Sequence, residues 1–508
     1  MIRIESEKCL GCQWCSQDCP VKAIAIKGGK AVIDQQKCVS CGVCAKVCRY
    51  EAIYDKPIPP IEAQGDFLIC DSCPIKCQIR PNSLGACLRY ANRDGSIVRL
   101  DKPLGLEDVR SHLTPQPIEA IREPIITAVG VGTTTPDLRP APAIIYQNRH
   151  GIDVVTVATE APLSFSSVIV KVDTDLDIGR PGATVIFEGR KIGMLETEQY
   201  GSKMLHIGGA EQLTADQSGF AAARAVTDIV NRKVVKLRIK DGAQIEAQIG
   251  QAPIINGSAA GAMKVGCGSA TIGLFAKNLL EAADDVIVVD SQITGQLSRH
   301  AAGLAAGAKP TGIELIFRES TPGRYFCESG PGIGGTDIIY PLDIIKRVDT
   351  KIAKIGSTVL ITETTGQVGY MFTVKAGGLL IPMELTKKAA LALKEIHDCC
   401  ESSLVSAVYT GGAGGSARAG VCRHPPKLTK AIHQNKAVLT VAGAPAFVLP
   451  GGGINFFVDV GQIKPGSFYW TPTPATICPL EYTMRLEDYQ EIGGHIEVMK
   501  PFTPQKYK

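Results

Sequence analysis

Long apolar runs are missing from this sequence. No stretch of roughly 18 apolar residues occurs, so no helix is expected to span a bilayer. The opening MIRIESEKC has no apolar signal-peptide core, and a cytoplasmic chain is the expectation. Charge of one sign is also scarce. Lys and Arg number 54 against 50 Asp and Glu, and a net +4 over 508 residues gives no footing for nucleic acid or an anionic membrane. Several catalytic signatures are absent too. There is no Walker A loop, which argues against a nucleotide-driven reductase, and neither G-x-S-x-G nor H-E-x-x-H appears. The nearest approach to a dinucleotide fingerprint, GPGIGG at 330–335, lacks the G-x-G-x-x-G spacing and a long strand directly before it.

What the chain holds in quantity is cysteine, 18 residues of it, and glycine, 53. In a reducing compartment that many cysteines point to metal and not to disulfides. The first group is KCLGCQWCSQDCP (8–20), with Cys9, Cys12, Cys15 and Cys19; the second is KCVSCGVCAKVC (37–48), with Cys38, Cys41, Cys44 and Cys48. The run C-x2-C-x2-C-x3-C-P wraps a [4Fe–4S] cube, its first three thiolates reaching three irons from one tight loop and its fourth serving the other cluster. Cys9, Cys12, Cys15 and Cys48 are therefore expected to hold one cluster, and Cys19, Cys38, Cys41 and Cys44 the second. The repeat extends beyond the cysteines, CPVKAIAI (19–26) answering CRYEAIYD (48–55), as in a two-cluster ferredoxin domain. Arg49 stands where the first copy has Pro20, which removes no ligand. A pair of zinc sites is the alternative, though zinc patterns normally place a longer gap between cysteine pairs.

A proline-rich spacer, DKPIPPIEAQG (55–65), leads to Cys70, Cys73, Cys77 and Cys87 in the spacing C-x2-C-x3-C-x9-C. Four soft ligands in so short a stretch suit a third [4Fe–4S] cluster or one tetrahedral zinc; position directly after two clusters favours the cluster. A stand-alone ferredoxin would end near residue 60, so the remaining chain should contain the electron acceptor.

That remainder alternates strands and helices under glycine punctuation. Strands are predicted over 153–160, 166–175, 183–190, 286–290 and 436–449, helices over 219–233, 274–285 and 385–400, and a hairpin turning at Asp241-Gly242 within 234–250. The predicted architecture is a mixed α/β (α+β) multidomain chain: a ferredoxin-like domain over 1–60, a four-cysteine module over 61–105, and a catalytic body over 106–508 subdivided near 250 and 380. In the last third, VYTGGAGGSARAGVCRHPP (408–426) sets Gly411, Gly412, Gly414, Gly415 and Ser416 beside Arg418, Arg423 and His424. Glycines admit close approach of backbone N–H groups and arginine forks bind carboxylate or phosphate, so an anion cradle is one reading; a glycine-rich packing corner with solvated arginines is the other. Asp290, Thr294, Ser298, Arg299 and His300 lie at a predicted strand exit, and Glu363 and Gln367 near glycines; a helix-capping loop and a turn are the plainer readings. Cys267, Cys327, Cys399, Cys400, Cys422 and Cys478 read as small buried side chains, and His206 as a core residue.

The two ferredoxin motifs, CDSCPIKC with GACLRYAN, YTGGAGGSARAGV, FVLPGGGINFFVDV and WTPTPATICPLEYTM together resemble the 6-hydroxynicotinate reductase family over the whole chain. The resemblance implies a ferredoxin-dependent iron–sulfur flavoprotein of anaerobic nicotinate degradation. Its reaction takes 6-hydroxynicotinate, a small heterocyclic carboxylate, to 1,4,5,6-tetrahydro-6-oxonicotinate. It further implies a covalent flavin, for which DIGRPGAT (177–184) nominates Thr184 by likeness to D-x-x-[ST]-G-A-T, with the spacing off by one and Pro181 in the Ser/Thr place. Arg418, Arg423 and His424 are then the expected anchors, and Glu481 and Tyr482 the proton-transfer candidates. Reduced ferredoxin is the expected partner and a homo-oligomer the expected assembly. The rival readings are a ferredoxin-linked reductase of another unsaturated acid, an electron-transfer scaffold without a site of its own, and a zinc hydrolase with a vestigial ferredoxin.

Overall fold

The computed structural model describes residues 2–17, 19–48, 50–55, 66–70, 76–86, 88, 90–100, 117–127, 139–163, 166–197, 203–317, 319–321, 324–325, 327, 329–413, 415–449, 454–471 and 473–504. Two copies of one loop-and-helix unit open the chain, with short helices Trp14–Gln17 and Val43–Val47. Their loops use left-handed residues at matching places: Gly11 and Ser40 (φ 65° and 54°), Gln13 and Gly42 (71° and 75°), Lys22 and Glu51 (50° and 51°). The sequence repeat is thus a repeat of backbone geometry. Gln13 and Ser40 accept a conformation that costs a residue with a Cβ about 1 kcal/mol or more, because the loop must turn its sulfurs inward. Ile24–Lys27 and Lys30–Ile33 form a hairpin across Gly28-Gly29, both at positive φ as a two-residue turn requires. Ile2–Ile4 pairs antiparallel with Ile53–Asp55, and these strands bury Ile2, Ile24 and Ile53 against Cys9, Cys15 and Cys44.

The next module is two small antiparallel pairs, Leu68–Ile69 with Gln78–Ile79 and Tyr90–Arg93 with Ser96–Arg99. Buried Ile79, Cys70 and Cys77 pack against Val39 of the second cysteine loop, and the Gln78 amide donates to the Val39 carbonyl at 3.0 Å.

The body is built on a continuous run of paired strands. From Ala143–Arg149 the order passes to Ile152–Pro162, Ala475–Arg485, Ala437–Val441, Ala444–Leu449, Ile454–Asp459 and Leu404–Ala413. It continues through Ser167–Asp173, Lys203–Gly208, Arg190–Thr197, Thr184–Phe187, Val235–Ile239 and Gln244–Ala247. Helix Asp216–Val230 is packed within this run; Ala222, Ala225, Val226 and Val230 are fully buried, and its small side chains let strands close on several sides of it. Strand Val235–Ile239 alternates buried and exposed, while Ala475–Arg485 is buried on both faces and carries the buried polar residues Thr476, Glu481 and Thr483 among its apolar ones. The strand expected over 436–449 is instead a hairpin, because Ala442 and Gly443 (φ 47° and 82°) turn the chain in its middle.

A second sheet of seven strands is inserted between Ser258–Ala259 and Leu404–Ala413. At its centre Asp285–Val289 and Thr358–Glu363 run parallel, flanked by Thr294–Gln296 and Gly369–Val374. Helices Gly268–Ala282 and Lys387–Asp398 cover one face; Ile313, Leu315, Tyr325 and Ile344 pack on the other. The two connections to the body run side by side. The Met263 amide donates to the Glu401 carbonyl (2.8 Å), and the Ser403 hydroxyl to the Ala262 carbonyl. The helix expected over 274–285 begins earlier, at Gly268, since glycine does not announce a helix in sequence. Among the described residues no helix is long and apolar enough to cross a membrane.

Gly268 shows how tightly this insertion is seated. A Cβ there would meet the Val288 carbonyl at 2.2 Å and the Gly295 amide at 2.9 Å, both backbone atoms unable to step aside. Gly268→Ala should therefore lower the denaturant midpoint by the equivalent of about 1–3 kcal/mol. An unchanged midpoint would show that helix and strand do not approach so closely.

Candidate functional site

The cysteines of the first two groups line two small cavities. Cys9, Cys12, Cys15 and Cys48 meet on one, with Leu10, Gly11 and Tyr50; Cys19, Cys38, Cys41 and Cys44 meet on the other, with Ile2, Val21 and Val39. The fourth sulfur of each set thus comes from the other copy of the repeat. Burial pushes the Cys15 thiol up to about 11 and the Cys44 thiol up to about 12, with the neighbouring cysteines adding to the rise. Four thiolates in such a pocket need a positive centre among them, and a cationic iron–sulfur core meets that need. Backbone amides already face the sulfurs: Ala31 N donates to Cys9 Sγ (3.3 Å) and Ala23 N to Cys19 Sγ (3.2 Å). Among the described residues no three His, Cys, Asp or Glu side chains lie close enough to share a single metal ion. Of the third group, Cys70 and Cys77 are buried side by side, the Cys70 amide donating to the Cys77 carbonyl (2.9 Å). Cys73 and Cys87 lie outside the described residues, as does Arg49.

A cavity of about 740 Å³ opens where the inserted sheet meets the body. It sits beyond the C-terminal ends of the parallel strands Asp285–Val289 and Thr358–Glu363, the place where open α/β sheets receive ligands. One wall is the loop 330–335, the GPGIGG segment. Gly334 (φ 63°) lies on the strand end, where a Cβ would meet the Val289 carbonyl at 2.2 Å, and its own carbonyl accepts from the Ser291 amide (3.0 Å). The opposite wall comes from the body, with Asp175, Asp177, Gly242 and Asn256. Glu363 and Gln367 complete it. The Glu363 carboxylate accepts from the Thr365 amide (2.6 Å), the Thr365 hydroxyl and the Gln367 amide (2.8 Å), so the residue shapes the turn and lines the cavity at once.

Two lysines lie behind this wall. Lys264 pairs with fully buried Asp290, whose other oxygen accepts from the Gln292 and Ile293 amides (3.0 Å each). Lys203 is buried and donates to the carbonyls of Thr174 (3.0 Å) and Leu176, holding the segment that carries Asp175 and Asp177. Burial, with Lys264 nearby, brings the Lys203 ammonium down to about 7, against the pull of Asp177, Asp290 and Asp175. Among the described lining residues the charged ones are the three carboxylates Asp175, Asp177 and Glu363. The cavity therefore suits a ligand that presents hydrogen-bond donors.

The other sequence candidates separate. Thr184 is half-buried at the start of its strand, its carbonyl accepting from Lys240 N (2.9 Å); the hairpin that follows supplies Gly242 and Ala243 to the cavity. Gly411 and Gly412 lie inside strand Leu404–Ala413, paired with Phe456 and Asn455. Gly414 is outside the described residues, and Gly415 and Ser416 begin helix Gly415–Val421. Arg418 donates to Thr429 Oγ1 (2.8 Å), Arg423 pairs with Glu497 (2.6 Å), and His424 is exposed ahead of helix Pro425–His433. Glu481 and Tyr482 are fully buried neighbours on one strand and so face opposite sides of the sheet. Tyr482, pushed up by burial, turns into the core. Glu481 accepts from Thr440 Oγ1 (2.6 Å) and Gly443 N (3.2 Å). On the same face, through the register Ala158↔Glu481 and Glu160↔Pro479, sits Glu160, which accepts from the Tyr469 hydroxyl (3.1 Å) and leaves its other oxygen buried and unpartnered. Sequence reasoning missed Glu160, although a carboxylate closing the strand DVVTVATE is a visible oddity. Of the group 290–300, Asp290 adjoins the cavity, Ser298 donates to buried Asp285 (2.7 Å), and His300 caps helix Ala301–Ala306. Thr294 contacts the Cys327 sulfur (2.7 Å), and Arg299 stacks over the Tyr325 ring. His206 faces Glu196 at 3.4 Å.

Residues 1–49 match the 4Fe-4S dicluster domain. A curated 6-hydroxynicotinate reductase of Eubacterium barkeri is 44% identical over 510 residues, covering 100% of each chain. No solved structure matches the chain.

Two outcomes follow from this geometry. A Cβ on Gly11 (φ 65°) would lie 2.2 Å from the Gly29 carbonyl, so Gly11→Ala should reduce bound iron and sulfide toward the content of one cluster, whereas Gln13→Gly should keep both. Elemental analysis of anaerobically purified protein decides. Lys203, with an ordinary value of 10.5, is held at about 7 in the fold, so between those values the unfolded chain binds the proton more tightly and stability rises with pH. Lys203→Met should flatten that rise in urea midpoints taken across the window; an unchanged slope would assign it to other groups.

Proposed function

We propose, from the premise that the chain belongs to the 6-hydroxynicotinate reductase family, that it reduces 6-hydroxynicotinate to 1,4,5,6-tetrahydro-6-oxonicotinate with electrons from a reduced ferredoxin. The observation that carries this reading is 44% identity over 100% of both chains, so that the likeness spans the N-terminal cysteine region and the body alike. The chain is an oxidoreductase. The reaction adds two electrons and two protons across one ring double bond, so the protein must bring single electrons to the ring and hold protons beside it. When bound, the [4Fe–4S] clusters supply one-electron transfer at low potential, and a flavin supplies the two-electron store.

The chain's own residues divide the remaining tasks. Cys9, Cys12, Cys15 and Cys48, and Cys19, Cys38, Cys41 and Cys44, provide the two thiolate pockets. Cys70, Cys73, Cys77 and Cys87 are read as a third metal centre, supported by the burial of Cys70 and Cys77 against the second pocket's Val39. The cavity between inserted sheet and body is read as the ligand site, because its volume of about 740 Å³ falls in the range of small-molecule pockets. Its acidic wall suits the lactam N–H of the substrate ring and the hydroxyls of a flavin side chain, while the substrate carboxylate must be met by groups other than its described charged lining residues, which are all acidic. Thr184 is read as the flavin attachment on the likeness of DIGRPGAT; it lies outside the cavity lining, and its carbonyl accepts from Lys240 N, next to the hairpin turn that supplies Gly242 and Ala243 to the wall. Asp175 and Asp177, half-buried on the wall, offer hydrogen-bond acceptors to a ligand, while Lys203 fixes the loop that carries them. Arg418 and Arg423, committed to Thr429 and Glu497, brace the C-terminal corner.

Anaerobic assay of the purified chain with reduced viologen tests the reading. Dye oxidation dependent on 6-hydroxynicotinate, with the tetrahydro product formed, is expected; no oxidation by protein with full iron would overturn it. Asp177→Asn should lower kcat/KM at least about tenfold with iron content retained, a loss of about 1.4 kcal/mol in transition-state binding. Unchanged kinetics would remove this cavity from the reaction.

A further inference from the structure

The two cysteine pockets differ in what covers them. Val21, Val39 and Cys41, all on the wall of the second pocket, pack into the core of the module built on Cys70, Cys77 and Ile79. The Gln78 amide on the Val39 carbonyl (3.0 Å) and the contact of Ser40 with the Gln78 side chain (3.3 Å) tie the two together. The second pocket therefore faces into the chain.

The first pocket faces out. On its wall Cys12 is exposed, and Leu10 and Tyr50 are 63% and 44% exposed. Gln13, also on this wall, is exposed beside them. These residues form a small apolar patch around a sulfur ligand. Charges of both signs rim it: Lys8 with Glu5 at 2.7 Å, and Lys30, whose ammonium donates to the Cys9 carbonyl at 2.6 Å. An apolar centre within a mixed charged rim is the anatomy of a protein contact, and a patch of this size matches the small, transient encounters of electron-transfer partners.

We infer that the Leu10–Gln13–Tyr50 patch is the docking surface for the electron donor, a small soluble protein carrying its own reduced iron–sulfur cluster. The pocket of Cys9, Cys12, Cys15 and Cys48 is then the inlet and that of Cys19, Cys38, Cys41 and Cys44 the inner station next to Cys70 and Cys77. The step is a single electron transfer: the donor's cluster is oxidised by one electron, the cluster held by the outer pocket is reduced by one, and no proton or bond changes hands. The inference rests on the reading of the chain as a ferredoxin-linked oxidoreductase and adds to it the place of contact.

The test needs no substrate. Anaerobic full-length protein, oxidised and fully loaded, is mixed in a stopped-flow instrument with a reduced [2Fe–2S] ferredoxin or reduced methyl viologen, and re-oxidation of the donor is followed at a wavelength where the donor's band differs from that of the chain's own clusters. For Leu10→Glu and Tyr50→Glu, each checked for full iron, the ferredoxin rate divided by the viologen rate should fall at least tenfold. The dissociation constant for oxidised ferredoxin, measured by calorimetry, should rise in step. Val32→Glu, which alters a hairpin residue of similar exposure (43%) on neither pocket's outer wall, should leave both ratios as in the parent. Wild-type ratios in both patch variants, or an equal fall in Val32→Glu, would overturn the docking site. Failure of the parent protein to accept electrons from ferredoxin while viologen reduces it would instead overturn the donor reading itself, and turnover of substrate with viologen is scored apart from both.

Discussion

A thiolate buried away from water demands a positive charge beside it, and the N-terminal fold is arranged around that demand. Cys9, Cys15 and Cys44 are buried, and each pocket gathers four sulfurs whose mutual repulsion and desolvation resist ionisation. Only a cationic core relieves this. The left-handed residues at Gly11, Gln13, Ser40 and Gly42, the contact between Gly11 and Gly29, and the amide donors on Cys9 and Cys19 all serve to aim sulfur at that core. The module that follows is placed by the same device, since Cys70 and Cys77 bury themselves against the second cysteine loop.

The body obeys a different constraint, close approach of backbone to backbone. Small side chains on helix Asp216–Val230 allow strands to pack about it, and Gly268 and Gly295 let the first inserted helix rest directly on its sheet. Because the two connections of the insertion run together at Ala262 and Ser403, the inserted sheet meets the body along one seam. The cavity is what that seam leaves open. Its walls are not left loose: Glu363 is satisfied by its own turn, Lys264 pairs with Asp290 behind the wall, and Lys203 holds the Asp175–Asp177 segment through the carbonyls it contacts.

Inlet and cavity together give the chain a direction. An outward pocket with exposed sulfur, an inward pocket covered by a cysteine module, and a ligand-sized cavity in the body are the parts that a reductase with a protein electron donor requires. The relative that matches from end to end bears the name of a 6-hydroxynicotinate reductase.

How much of this was legible in sequence depends on how far apart the cooperating residues lie. Cluster ligands were legible, because C-x2-C-x2-C places three sulfurs on one short loop and only the fourth comes from elsewhere. Helix Asp216–Val230 and the hairpin at Asp241-Gly242 were legible from periodicity and turn chemistry. The opposite facing of Glu481 and Tyr482 follows from strand alternation once the strand is known, but that Glu481 and Glu160 share a sheet face needed the register Ala158↔Glu481. GPGIGG was dismissed for want of a nucleotide spacing, yet as a cavity wall it needs only to fit a strand end. By itself the sequence determined the sulfur chemistry of the inlet and the identity of most elements, since these arise from neighbours along the chain. The tertiary structure alone decided the cavity and which pocket faces outward, because their walls join residues near 175, 242, 333 and 363, or 39 and 79, and only packing brings such segments together.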